Sequence, residues 1–180
     1  MMKKENILAN SNQEREKLIK SSILATVIGT LGVIATSYYF LPDINPPNRP
    51  LAWSLQWIFL AFTPYAAVCL VILHNRLHEG SHNPLFGKES EELKIHCRVM
   101  QNNLEQWVWF FACSMPLSTI LQPQEYKILP ILSSLFVIAR LVYWKGYFHN
   151  GTLGRRYGVQ MTFTINISLL IVTAFLLCIR

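Results

Sequence analysis

Apolar residues gather in five runs along this chain, at about 21–41, 51–73, 103–121, 129–148 and 159–179. A helix needs about 20 predominantly apolar residues to cross a bilayer, and the runs are near that length. Together they take up more than half the chain. The stretches between them are too short for a separate globular domain. The pattern predicts one all-α, polytopic membrane domain.

The polar stretches between the runs carry their own signals. Residues 1–20, "MMKKENILANSNQEREKLIK", read as a mobile tail leading into the first helix. The first run is long enough to span and lacks a short apolar region ending in a small-x-small cleavage site, so it is expected to stay as a helix. "PDINPPNRP" (42–50) is dense in proline and predicts an extended loop that cannot continue a helix. The longest connection, 74–98, is broken by Asn83-Pro84 and Gly87. After it, "SEELKIHCRVMQNNLEQ" has good helix formers behind Ser90 as a cap, so the third helix should start well before the lipid boundary. "QPQEYK" (122–127) reads as a short outer turn, and "NGTLGRRYG" (150–158) as an inner turn with two glycines.

Composition agrees with a membrane location. The chain has 180 residues, 52% of them hydrophobic and 14% charged, with a mean hydropathy of +0.28. The net charge of +6 could indicate nucleic acid, but its distribution excludes that reading. With the N-terminus in the cytoplasm, the inner side holds Lys3, Lys4, Arg15, Lys17, Lys20, Arg76, Lys88, Lys94, Arg98, Lys145, Arg155 and Arg156. The outer side holds only Arg49, Lys127 and Arg180. The positive-inside rule accounts for this asymmetry and predicts an N-in, C-out topology, with no basic-aromatic pattern of nucleic-acid recognition. The inner membrane of a bacterium or the endoplasmic reticulum and other endomembranes of a eukaryote fit equally. The four cysteines have no C-x-x-C spacing and read as small buried apolar residues.

The remaining sixteenth cation, Arg140, falls inside the fourth apolar run. Such a charge costs roughly 2.5–3.5 kcal/mol at the bilayer centre on insertion scales, so it should face the bundle interior. Tyr143 and Tyr147 follow at i+3 and i+7, on one narrow face. Arg98, Asn102 and Glu105 form a second stripe at i, i+4 and i+7 on the third helix. Glu105 is the acidic residue nearest the inner half of the bundle, which makes it the expected partner of Arg140. An arginine-carboxylate pair can lock helices together. It can also leave guanidinium donors free for an anion in a wet crevice. Spacing alone leaves both readings open. His74, His78 and His82 are spaced by four, but Gly80 and Asn83-Pro84 weaken a helix there, and Glu79 alone does not complete a site, so no metal is expected. "NGT" at 150–152 and "NIS" at 166–168 fall on the inner side and inside a helix, where neither should be glycosylated.

These two stripes resemble motifs of the MAPEG family, the membrane-associated proteins of eicosanoid and glutathione metabolism. "RVMQNNLEQ" is similar to the family's Arg-x3-Asn-x2-Glu helix motif. "ARLVYWKGY" is similar to the Ala-Arg-Leu-x-Tyr-aromatic-x-Gly-Tyr motif of its leukotriene-forming member. The resemblance covers roughly residues 51–180 and, in "LQPQEYKILPILSSLFVIARLVYW", comes closest to the divergent mattrin-like branch, which also carries an extra helix before the four-helix core. It implies a four-helix bundle over 51–180, an extra transmembrane helix over 21–41 and a cytoplasmic tail over 1–20. It implies a homotrimer that holds glutathione between subunits through Arg98, Asn102, Glu105, Arg140, Tyr143 and Tyr147. An arginine that stabilises the glutathione thiolate is part of the family pattern. Gly154 stands at that position here, with Arg155 and Arg156 beside it as the candidates for the catalytic role, and Gln106 stands where some of the enzymes have a tyrosine.

The expected function is therefore glutathione binding, with transferase or peroxidase activity on a lipophilic small molecule. The alternative is a non-enzymatic, mattrin-like regulator or scaffold. A transporter-like role for the intramembrane charges comes third, because five short unbroken helices do not suit one. No nucleic-acid partner is expected.

Overall fold

The computed structural model describes residues 2–44, 49–80 and 89–180, with side chains from Gln13 onward. Five α-helices carry the chain: α1 (Met2–Phe40), α2 (Pro50–Glu79), α3 (Glu91–Ile120), α4 (Ile128–Gly154) and α5 (Arg156–Ile179), with a 3₁₀ turn at Pro123–Glu125 between α3 and α4. The expected all-α class holds. Helices α1, α2, α4 and α5 are long and apolar enough to cross a membrane. Helix α3 is 30 residues long, but Arg98, Asn102, Asn103 and Glu105 interrupt its apolar character. It runs among the others because α2, α4 and α5 all pack against it. The protein is an integral, multi-pass membrane protein.

Helices α2 to α5 form a four-helix bundle. Helix α2 packs on α3 and α4, α5 packs on the same two, and α3 meets α4 across the short diagonal. Helix α1 stands outside this bundle, against α5 and α4. It begins at Met2 rather than near residue 21. The expected mobile tail is thus helical, as its lysines, glutamates and glutamines favour and as the lack of proline or glycine before Gly29 permits.

Local chemistry fixes the helix ends. Helix α2 starts on Pro50, whose missing N–H costs nothing at a first turn, and ends on Gly80 in the left-handed region (φ 64°). It extends past the expected end of its apolar run, so His74 and His78 lie on successive turns, edge to face, with ring centroids 4.4 Å apart. His82, Asn83-Pro84 and Gly87 lie outside the described residues, as does the centre of the proline-rich loop. Among the described residues, no group of three His, Cys, Asp or Glu side chains forms a metal site. Helix α3 is capped as its sequence indicates: Ser90 Oγ accepts the Leu93 N–H at 3.1 Å, and Glu91 and Glu92 sit in the first turn. Ser90 also donates to Glu79 at 2.6 Å, and Arg76 pairs with Glu89 at 2.9 Å, which ties the end of α2 to the start of α3. Ser90→Ala is expected to cost about 1 kcal/mol, read as a lower melting temperature in detergent. At the opposite end of the bundle, Arg180 grips Glu125 at 2.8 and 2.9 Å and closes the turn between α3 and α4.

Two clasps hold α1. Near the basic end, Gln160 Nε2 donates to Ile19 O at 3.1 Å and to Ser22 Oγ at 2.9 Å. At the other end, Lys127 Nζ donates to Asp43 at 2.7 Å and to Leu41 O at 3.3 Å.

The bundle interior has two apolar clusters. One contains Phe110, Leu117, Leu129, Phe136, Ala139 and Ile165. The other contains Val68, Ile72, Leu93, Val99, Tyr143 and Tyr147. Arg140 lies at the seam between them, one residue after Ala139 and three before Tyr143. The four cysteines are free thiols.

Candidate functional site

The seam is a polar layer that spans three helices. Arg140 is only 1% exposed. Its Nε donates to Asn103 Oδ1 at 2.7 Å, one terminal nitrogen donates to Asn102 Oδ1 at 2.8 Å, and the other reaches Thr162 Oγ1 at 3.4 Å. Asn103 is held in turn: its Nδ2 donates to the Pro64 carbonyl at 3.4 Å. The Thr162 hydroxyl donates to Gly158 O at 2.7 Å. One helical turn further along α5, Asn166 Nδ2 donates to Gln106 at 3.1 Å. Asn166, the "NIS" asparagine, is therefore buried.

The expected Arg140–Glu105 pair is not made. Glu105 is exposed and accepts a hydrogen bond from Gln101 at 3.1 Å. The cause is angular. At about 100° per residue, Glu105 lies roughly 200° round α3 from Asn103, and Asn103 faces the interior. Arg140 is thus charged and buried, and among the described residues no carboxylate lies within ion-pairing distance of it. Buried charges are normally paired.

The three residues of the α3 stripe fall on the rim and outside of the bundle. Asn102 is half-buried and bonded to Arg140, whereas Arg98 and Glu105 are exposed. Leu104 and Val108, on the same outer face, are 39% and 51% exposed. Glu105 therefore projects outward at the depth of Arg140, next to apolar side chains that suit lipid or another protein surface.

On α4 the expected face is intact. The Arg140 guanidinium lies 4.2 Å from the centroid of the Tyr143 ring. The Tyr143 and Tyr147 rings are 5.9 Å apart, and Arg155 sits 4.9 Å over Tyr147. Cations over aromatic faces gain about 0.5–2 kcal/mol. Tyr147 also neighbours Arg98 and holds its guanidinium pKa above the ordinary value. A ladder of two rings between two cations runs from the seam to the basic end, and with Arg98 beside Tyr147 it includes five of the eight candidate residues. Asn102 joins it through Arg140. Glu105 and Arg156 stand apart. Arg156 turns away and donates to Tyr157 Oη at 2.7 Å.

The turn that places Arg155 on Tyr147 differs from the open glycine turn expected of "NGTLGRRYG". Helix α4 kinks at Asn150 and Gly151 (φ 55°, ψ −131°) and resumes to Gly154. This folds Gly154 back onto Gly146. A Cβ on Gly154 would lie 2.0 Å from Gly146 O, and one on Gly158 would lie 2.3 Å from Tyr143 N. Gly154 cannot carry a side chain in this packing, and Arg155 is the neighbouring cation that reaches the Tyr147 ring.

Sequence reasoning missed Asn103 and Thr162. Their signal was present: an Asn-Asn pair at 102–103, and Gln160, Thr162, Thr164 and Asn166 inside an otherwise apolar helix.

The MAPEG family model matches residues 54–175, well over half the chain. Transmembrane protein 79 of Mus musculus is 29% identical over 156 residues, covering 84% of this chain and 39% of that protein. The Bos taurus protein of the same name is 31% identical over 140 residues, covering 75% of this chain and 35% of its own length. The chain thus spans well under half the length of these relatives. No solved structure matches it.

Proposed function

This chain belongs to the MAPEG family, and on that premise we propose that it binds glutathione between neighbouring copies of a homotrimer, with the basic end of the bundle in the cytoplasm. The buried, uncompensated charge of Arg140 carries this reading. Its donors meet Asn102 at the bundle rim, and beyond the rim lie Arg98 and Glu105 on the outer face. An anion with a second, cationic group would complete both. Glutathione has two carboxylates for the arginines and an ammonium group for Glu105. Glu105 also needs cover, because an exposed carboxylate at that depth costs roughly 2.5–3.5 kcal/mol in lipid. A neighbouring copy would supply it.

Arg155 is the residue suited to act on the thiol. It sits on Tyr147 at the wet end of the ladder, and a nearby cation lowers a thiol pKa from about 8.5. The resulting thiolate would attack a lipophilic electrophile or reduce a hydroperoxide. Arg155→Ala is expected to abolish thioether formation with an activated aryl halide while leaving the melting temperature within about 2 °C, a shift of about 0.5–1 kcal/mol. For binding, glutathione at 100 times its dissociation constant should stabilise the detergent-purified protein by about 2.7 kcal/mol. Arg98→Ala and Glu105→Gln should each shift that titration about tenfold to higher concentration, a loss of about 1.4 kcal/mol. A flat response at millimolar glutathione in the unaltered protein would refute the reading.

A second reading, a non-enzymatic mattrin-like regulator, is favoured by the likeness to Transmembrane protein 79 and by Gly154, where packing excludes the family arginine. Glutathione binding without turnover would select it.

A further inference from the structure

Helix α1 precedes the segment that matches the family, and between its clasps it does not pack flush on α5. A groove of about 600 Å³ separates the two helices, running from Ile19 to Leu31 on α1 and past Phe163 and Ile167 on α5. Small-molecule sites measure about 300–1,000 Å³. From Ile19 to Leu31 is about 18 Å along a helix, slightly more than one leaflet's half of a ~30 Å hydrocarbon core. The wall is apolar. The mouth is not: Arg155 and Arg156 border it at the start of α5.

That mouth is electrostatically open. Among the described residues, neither arginine has a carboxylate within ion-pairing distance. Arg156 donates through one terminal nitrogen to Tyr157, while its buried Nε has no partner. The first turn of α5 holds no acidic residue and no side-chain cap, so the helix's partial positive charge adds to theirs.

We propose that this groove binds an anionic phospholipid from the leaflet at the basic end, with its phosphate on Arg156 and an acyl chain along α1 and α5. Arginine suits phosphate because its planar fork can donate two parallel hydrogen bonds. Charge favours a lipid over another helix: two arginines without carboxylate partners among the described residues stand at one end of a mostly apolar groove, which suits a molecule with one anionic head and an apolar chain. A free anion would leave the apolar wall unused. The groove adjoins the proposed glutathione site and shares Arg155 with it at the mouth, but its acyl channel lies on the α1 side of α5 and its phosphate ligand, Arg156, donates to Tyr157.

The test uses the full chain, purified in detergent and stripped of lipid. Phosphatidylglycerol or phosphatidylcholine with identical chains is titrated in, and melting temperature and native mass spectrometry are the readouts. Phosphatidylglycerol is expected to raise the melting temperature saturably and to stay bound, and phosphatidylcholine to do neither at the same mole fraction. Arg156→Ala should weaken phosphatidylglycerol binding about tenfold or more, as loss of a charged hydrogen bond does. Val27→Trp, which fills the groove and keeps both arginines, should weaken it as well. Glycerol phosphate, the headgroup without chains, should have no effect. Equal retention of the two lipids, an unchanged phosphatidylglycerol response in both variants, stabilisation by glycerol phosphate alone, or a second polypeptide copurifying in a Val27-dependent way would each overturn the proposal.

Discussion

Arg140→Ala is expected to remove the glutathione-dependent gain in melting temperature and to lower the melting temperature without glutathione as well. Both effects follow from the seam. Truncation orphans Asn102 Oδ1 and Asn103 Oδ1, which accept at 2.8 and 2.7 Å, at about 1–3 kcal/mol each. The cavity adds about 2–5 kcal/mol. Against these stands relief of a buried charge, worth several kcal/mol. A net loss of about 3 kcal/mol is expected. Arg140→Met separates the two roles, because it keeps most of the volume and removes the charge. Its melting temperature without glutathione should recover toward that of the unaltered protein, while the glutathione response stays absent. If Arg140→Met kept the response, the cation would have no part in the anion site.

The second large effect is expected at Gly158. Its Cβ would meet the backbone nitrogen of Tyr143 at 2.3 Å, and a Cβ on Gly154 would meet Gly146 O at 2.0 Å. Backbone cannot swing aside as a side chain can, so α4 and α5 would have to separate. Overpacking of this kind costs about 1–3 kcal/mol or more, and Gly158→Ala should fall at the upper end. Gly154→Arg, which needs a side chain where Gly146 O already stands, should destabilise to a similar degree. Gly29→Ala is the control. Gly29 has open space around it, and alanine there should stabilise α1 by up to about 1 kcal/mol. Melting curves of the three variants decide the point. A normal transition for Gly158→Ala would mean that α4 and α5 do not meet in this register.

The sequence carried the bundle because transmembrane length and apolar character are local properties. The Ser90 cap and the 122–127 turn were legible for the same reason. Arg140 was legible as an inward charge, since lipid leaves it few alternatives. Its partner was not. Glu105 was expected on grounds of charge, but pairing depends on how far each helix is rotated, and that is set by the packing of Val99, Phe110 and Ile165. Asparagines 102 and 103 lie 100° apart on the helix, so only the packed bundle shows that both flank the guanidinium. The fold-back of Gly154 onto Gly146 was equally hidden, because it requires the Asn150–Gly151 kink. The helical form of the N-terminal tail is hidden for the opposite reason: its polarity points to a mobile tail, although its residues are good helix formers.

The two clasps on α1 hold it only weakly. Within a bilayer, an interhelical hydrogen bond averages about 0.6 kcal/mol, so the polar contacts at Gln160 and Lys127 together supply roughly 2 kcal/mol. At RT of about 0.6 kcal/mol, that alone would leave α1 detached for a few per cent of the time. Helix α1 should therefore behave as a tethered strap that opens sideways into the bilayer on its own timescale while α2 to α5 stay assembled. Spin labels on α1 and α5 should then report a broader distance distribution than labels on α4 and α5.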